Sequence, residues 1–250
     1  MLLALPVWAE LTYQVRHEHL RKGCTGVLRI DERGISFQEV SQKKKKRPHA
    51  FEWPYAEIQQ LAIAPEEIRV LTYQDNRWKL GADREHRFRA LAALSFGEAY
   101  ALLKDRLDQR LVAQLADSDL APLWQLPVKL LGRFGGSHGV LIVGAERLVY
   151  RVERPGASRT WRLKDIESVS SSGPFELTVT TYERARAHYG SRKDFNFQLK
   201  EPLPEARYND LWRRLFRPAL PSLTAAAPAV AAAPTAAPAA VPPGPAVDTR

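Results

Sequence analysis

The chain has 250 residues, 45% hydrophobic and 26% charged, and 37 Lys+Arg against 28 Asp+Glu give it a net charge of +9. A single cysteine, Cys24, excludes an intrachain disulfide and any zinc site built on paired cysteines, and no stretch approaches the roughly 18 consecutive apolar residues of a membrane-spanning helix. The basic excess biases association toward anionic partners such as phospholipid headgroups, nucleic acid or an acidic protein.

Leu2 to Ala9 is a short apolar run in which Val7-Trp8-Ala9 resembles the small-residue pattern ahead of a signal-peptidase cut, and polar Glu10 follows. Two explanations stand. Residues 1–10 are the remnant of a truncated signal peptide, or the run is a first apolar strand. The former is favoured because the first repeat strand starts only after Glu10, and it puts a periplasmic or secreted location ahead of a cytoplasmic one.

Residues 11–116 read as a first unit. Leu11, Tyr13 and Val15 alternate with polar residues, as a half-buried strand demands, and Val27, Leu28 and Ile30 follow Gly23 in a second strand. Gly34 turns the chain into Ile35-Ser36-Phe37-Gln38. Further strands are expected around Phe51–Trp53, Ile58–Ile63, Ile68–Tyr73 and Phe88. Ala99, Leu102, Leu103, Arg106 and Leu107 recur at helical steps and predict a closing helix from Phe96 to Leu115. Residues 117–125, with Pro122, read as a linker. Residues 126–217 repeat the order of strands, and Pro204-Glu205 opens a final helix to Phe216. From Pro218 the composition shifts to Ala, Pro and Val, so residues 218–250 are expected to form a disordered tail.

The two units repeat each other. Gly23-Cys-Thr-Gly-Val-Leu-Arg-Ile30 returns as Gly136-Ser-His-Gly-Val-Leu-Ile-Val143, and Trp53 to Ile58 returns as Trp161 to Ile166. Thr72, Tyr73, Arg77, Gly81 and Phe88 return at one constant offset as Thr181, Tyr182, Arg186, Gly190 and Phe197. A unit of about 100 residues is of domain size, far longer than a solenoid repeat.

Strand-rich units closed by one helix, with Gly26-Val27-Leu28 and Gly139-Val140-Leu141, the paired Ile35-x-Phe37 and Leu148-x-Tyr150, and the Trp53–Ile58 and Trp161–Ile166 blocks, resemble the pleckstrin-homology-like superfold in its bacterial, GRAM-type branch. The likeness covers almost everything from Leu11 to Phe216. It implies a mainly β chain of two tandem domains, each a bent antiparallel sheet or partly open barrel capped by a C-terminal helix. It also implies binding of lipid headgroups, peptides or proteins, with catalysis rare.

Lys43-Lys44-Lys45-Lys46-Arg47 is the sharpest charge feature, read either as a solvated loop or as a contact for an anionic membrane, where each basic residue contributes about 1 kcal/mol. The resemblance places headgroup-binding cations mainly between the first two strands, where this chain has only Arg21 and Lys22, and Arg133 in the second copy. Arg77 and Arg84, with Arg186 and Lys193 in the second copy, sit at fixed spacing in a connection that normally drifts. They either tie that loop to the body or make an anion or partner site. Trp53, Trp161 and Trp212 read as core, and Trp78 and Trp124 as exposed. His17 and His19 share a strand face and could chelate, but a third ligand is missing and the second copy has Leu130 and Gly132 there, so no metal or cofactor is expected. With no nucleophile elbow, phosphate loop or helical His-Glu pair, the expectation is a non-enzymatic tandem binding or scaffold protein with a protein or anionic partner. Peripheral association with anionic membrane through Lys43–Arg47 is the alternative. Nucleic-acid binding stands lower, and no small-molecule substrate is evident.

Overall fold

Among the described residues there are fifteen strands, many of them built on alternating apolar and polar residues. The first seven are β1 (Leu11–Glu18), β2 (Cys24–Ile30), β3 (Gly34–Glu39), β4 (Ala50–Pro54), β5 (Ile58–Ile63), β6 (Glu67–Asp75) and β7 (Asp83–Ala90). Helix α1 (Gly97–Leu103) and strand β8 (Leu111–Ala113) follow. The remainder is β9 (Trp124–Gly132), β10 (Gly135–Val143), β11 (Arg147–Arg151), β12 (Arg159–Arg162), β13 (Ile166–Ser170), β14 (Glu176–Arg184), β15 (Arg192–Leu199) and helix α2 (Glu205–Phe216). The structure is a computed structural model, and it describes residues 10–19, 23–40, 48–77, 81–91, 96–132, 135–154, 156–185 and 191–216. The expectations placed on residues 1–9 and on the 218–250 tail lie outside them.

The register of the first half recurs in the second. Tyr13 faces Leu28 and Val15 faces Gly26, as Leu126 faces Leu141 and Val128 faces Gly139. Ile68 faces Phe88 as Leu177 faces Phe197. Each half buries its own apolar cluster, one around Leu28, Phe37, Trp53 and Phe88, the other around Leu141, Tyr150, Trp161 and Phe197.

The halves are nevertheless not two tandem domains, each with its own sheet and helical cap. All strands belong to one 15-stranded sheet in the order β13-β14-β15-β9-β10-β11-β12-β8-β5-β6-β7-β1-β2-β3-β4. The correction turns on β8. The expected helix to Leu115 ends at Leu103, and Leu111–Ala113 instead pairs in parallel with Leu61–Ile63 of β5, while Ala113 also pairs with Thr160 of β12. The sheet is therefore mixed. Leu107 is buried as its helical spacing suggested, and Leu111 is buried too, but around a turn, where Val112 adopts the extended backbone its β-branch favours. The expected linker is likewise structural: Asp117 is buried, takes the Arg147 guanidinium, and donates its N–H to Thr160 Oγ1 at 2.9 Å.

The recurring Gly26 and Gly139 have a steric cause. A Cβ at Gly26 would lie 2.3 Å from the Gln38 carbonyl oxygen and 2.7 Å from the Phe37 ring. At Gly139 it would lie 2.4 Å from the Arg151 oxygen and 2.8 Å from the Tyr150 ring. Gly26→Ala and Gly139→Ala should each lower unfolding free energy by about 1–3 kcal/mol, because backbone must move to admit the methyl. Urea titrations check this, and unchanged midpoints would contradict it.

Candidate metal centre

Strand alternation puts His17 on the inward face of β1, in line with Tyr13 and Val15, and only 5% exposed. Cross-strand pairing sets His17 directly opposite Cys24 of β2. His19 lies just past the end of β1. His49, just ahead of β4, lies at the same end, where Glu39 N–H donates to the His49 carbonyl at 2.8 Å and His49 N–H donates to Glu39 Oε2 at 2.7 Å.

The donor atoms of His17, His19, Cys24 and His49 all lie within 4.8 Å of one another. Cys24 Sγ is 3.8 Å from His17 Nδ1 and 3.6 Å from His49 Nδ1. Tetrahedral zinc with ordinary Zn–S and Zn–N bonds needs a sulfur-to-nitrogen separation of about 3.6 Å, so these pairs are already at coordination spacing. A thiol has one proton to donate and cannot serve both imidazoles as a hydrogen-bond donor. A shared cation satisfies all four groups.

Protonation favours the same chemistry. Burial, and then the neighbouring His19, His49 and Arg84, hold His17 down to about 4 despite an opposing pull from Glu39. Its ring is therefore neutral at pH 7, the state that coordinates metal. Burial and the Glu39 carboxylate push the Cys24 thiol up. Metal must then displace a proton from sulfur.

Beneath His17 lies His86 of β7, 2% exposed, its Nδ1 3.3 Å from His17 Nε2. Its ring packs on Phe51 and Trp53, with centroids 4.7 and 4.6 Å away. Burial first, then Arg84 and His17, hold it at about 3. These two rings make the metal-free fold acid-sensitive. Both pKa values lie below the unfolded value of about 6.5, so above that pH neither ring distinguishes folded from unfolded chain. As pH falls below about 6.5 the unfolded chain takes up protons that the folded chain refuses, and stability drops until about 4 and about 3. Urea midpoints of metal-free protein should fall between pH 6.5 and 4.5, and His86→Phe should flatten that fall. A flat wild-type profile would contradict the assignment.

A cavity of about 770 Å³ opens beside the cluster, with His17, His19, Asp75, Arg77, Arg84 and His86 in its wall. It is large enough to admit a hydrated cation. The structure thus brings together two of the arginines singled out in the sequence: Arg77 and Arg84 share this wall, and Arg84 lies over the Phe51 ring at 5.6 Å. Lys193 of β15 is held by Glu183 of β14 at 3.1 Å and lies over Phe195 at 4.7 Å. Thr72 and Thr181 make one equivalent bond each, to the Arg84 and Lys193 carbonyls at 3.2 and 3.1 Å, which explains their recurrence. Lys43, Lys44, Lys45, Lys46 and Arg47 lie outside the described residues, as do Arg186 and Trp78. Trp53 and Trp161 are core residues, whereas Trp212 is 42% exposed and Trp124 only 9%. Trp212 reaches the solvent side of α2, while Trp124 starts β9 on its inward face.

Along the sequence His17 and His19 share a strand face without a third ligand nearby. The fold brings two more, Cys24 across one strand and His49 across another. A signal was present in the repeat, since Leu130, Gly132 and Ser137 stand at the positions of His17, His19 and Cys24. The donors occur in one copy only.

No family model matches the chain, and no curated protein matches it. Among solved structures, it is similar to the C-terminal domain of an unknown protein from Leishmania infantum at 11% identity and a TM-score of 0.31, covering 48% of this chain and 96% of that one. It is also similar to the Spt16D Pob3N heterodimer at 12% identity and a TM-score of 0.30, covering 69% of this chain and 83% of that one. Likenesses this weak carry neither fold nor function. Among the described residues, no helix is long and apolar enough to cross a membrane.

Proposed function

We propose that this chain is a non-enzymatic metal-binding protein that holds one divalent transition metal, zinc(II) foremost, through His17, His19, Cys24 and His49. The convergence of four donor atoms within 4.8 Å carries this reading. Three imidazoles and a thiolate suit zinc, and four protein ligands fill a tetrahedral shell, leaving no open position for a reacting water. The metal would clasp the β1–β2 hairpin to the start of β4, a structural task that fits a binding or scaffold protein. A net charge of +9, and the Lys43–Arg47 run shortly before His49, support an anionic protein or membrane as the partner. The apolar run ahead of Glu10 supports an exported chain, for which N-terminal sequencing of native protein should return Glu10 first.

Metal analysis of protein stripped with a chelator and then dialysed against zinc should find one zinc per chain. Cobalt(II) should give a thiolate-to-cobalt charge-transfer band that Cys24→Ser abolishes. Absence of bound zinc, or stoichiometry unchanged in a Cys24→Ser, His49→Ala double variant, would overturn the proposal.

A further inference from the structure

We infer that His86, which touches no metal, is the positioning residue of this centre: its Nδ1 accepts the proton of His17 Nε2 and so holds the His17 ring with Nδ1 bare toward the metal. The inference rests on the zinc reading above.

The geometry divides the two nitrogens of His17 between two tasks. Nδ1 faces Cys24 Sγ at 3.8 Å, and Nε2 faces His86 Nδ1 at 3.3 Å. A neutral imidazole carries one proton, so binding a cation at Nδ1 sends that proton to Nε2. His86 Nδ1 must then be the accepting nitrogen, and the His86 proton must reside on Nε2. That nitrogen is buried with no hydrogen-bond partner among the described residues. A buried N–H without an acceptor is unfavourable, and folds seldom keep one without a use.

Packing does not require it. Val70 faces His86 across β6 and β7, as Val179 faces Phe195 across β14 and β15. Phe195 packs on Trp161 with centroids 4.7 Å apart, much as His86 packs on Trp53. The apolar ring therefore fills the same place in the half that lacks the metal donors, and there Leu130 stands in place of His17. The His17–His86 pair occurs only with the cluster. Outer partners of this kind fix the tautomer and orientation of a ligating histidine, and their removal typically weakens metal affinity about 10–100-fold.

The test uses the full chain and zinc alone, with affinity measured by competition against a chelating indicator. His86→Phe should bind zinc about 10–100-fold more weakly, keep the cobalt charge-transfer band, and unfold in urea no more easily than metal-free wild type. His86→Asn, whose Oδ1 replaces Nδ1 as acceptor, should recover most of the affinity. His86→Gln, whose acceptor sits one bond further out, should not. The Asn-to-Gln comparison decides the matter even if the Phe variant folds poorly. Equal affinities for Asn and Gln, or a His86→Phe variant within about twofold of wild type, would overturn the positioning role and leave the zinc reading intact. Wild-type protein that binds no zinc would overturn both.

Discussion

Replacing Arg162 with methionine is expected to lower unfolding free energy by about 3–5 kcal/mol, the loss typical of breaking one side of a buried ion pair. Arg162 is the last residue of β12, and its side chain is 9% exposed. Its Nε donates to Asp165 Oδ2 at 2.7 Å and its Nη2 to Asp165 Oδ1 at 2.5 Å. The same guanidinium crosses to the first half, where Nη1 donates to the Leu107 carbonyl at 2.6 Å and to that of Lys104, and Nη2 to that of Asp108 at 2.5 Å. These carbonyls lie at and just beyond the C-terminal end of α1, where backbone acceptors lack helical partners and a cation is favoured. Burial already pushes the Asp165 carboxyl up despite the opposing pull of Arg162. Methionine would leave that acid without its counter-charge and the carbonyls without their donor. Urea denaturation at pH 7 measures the loss. An Arg162→Met, Asp165→Leu double variant should recover part of it, since the stranded carboxylate is then gone. A single-variant loss below about 1 kcal/mol would show that the junction between halves does not depend on this pair.

Zinc should stabilise the folded chain as strongly. A ligand that binds only the folded state, at about 1,000 times its dissociation constant, adds about 4 kcal/mol. For a chain of this size each kcal/mol moves the unfolding temperature by about 2–4 °C, so saturating zinc should raise it by about 8–16 °C over protein in EDTA. Cys24→Ser should lose most of that gain while leaving the metal-free transition near the wild-type one, because Cys24 is only partly buried. Superimposable melting curves with and without zinc would argue that the four donors never close on a cation.

The strands were legible because alternation is local: Tyr13, Val15, Leu28, Ile30, Val70 and Phe88 are all buried where period-two patterning puts them. Gly26 and Gly139 were legible as a repeat, though their cause, a neighbouring strand's carbonyl closer than any Cβ allows, was not. The closing helix stops at Leu103, short of the expected Leu115, because the helical spacing that reaches Leu107 continues across a turn into the extended Leu111–Ala113. Of the metal centre, the His17–His19 pair was legible on one strand and Cys24 only through its replacement by Ser137 in the second copy, while His49 left no signal.

The residue pattern by itself determined a mainly β chain built from one unit repeated, because burial on one face writes itself into every second residue and duplication preserves it. Only the tertiary structure decided that the two copies share a single sheet, because the choice rests on β8, three residues whose partners in β5 and β12 lie far away along the chain. The same holds for the metal donors. His17, Cys24 and His49 meet through cross-strand register and the Glu39–His49 backbone bond, and such long-range pairings leave no periodic trace in the sequence.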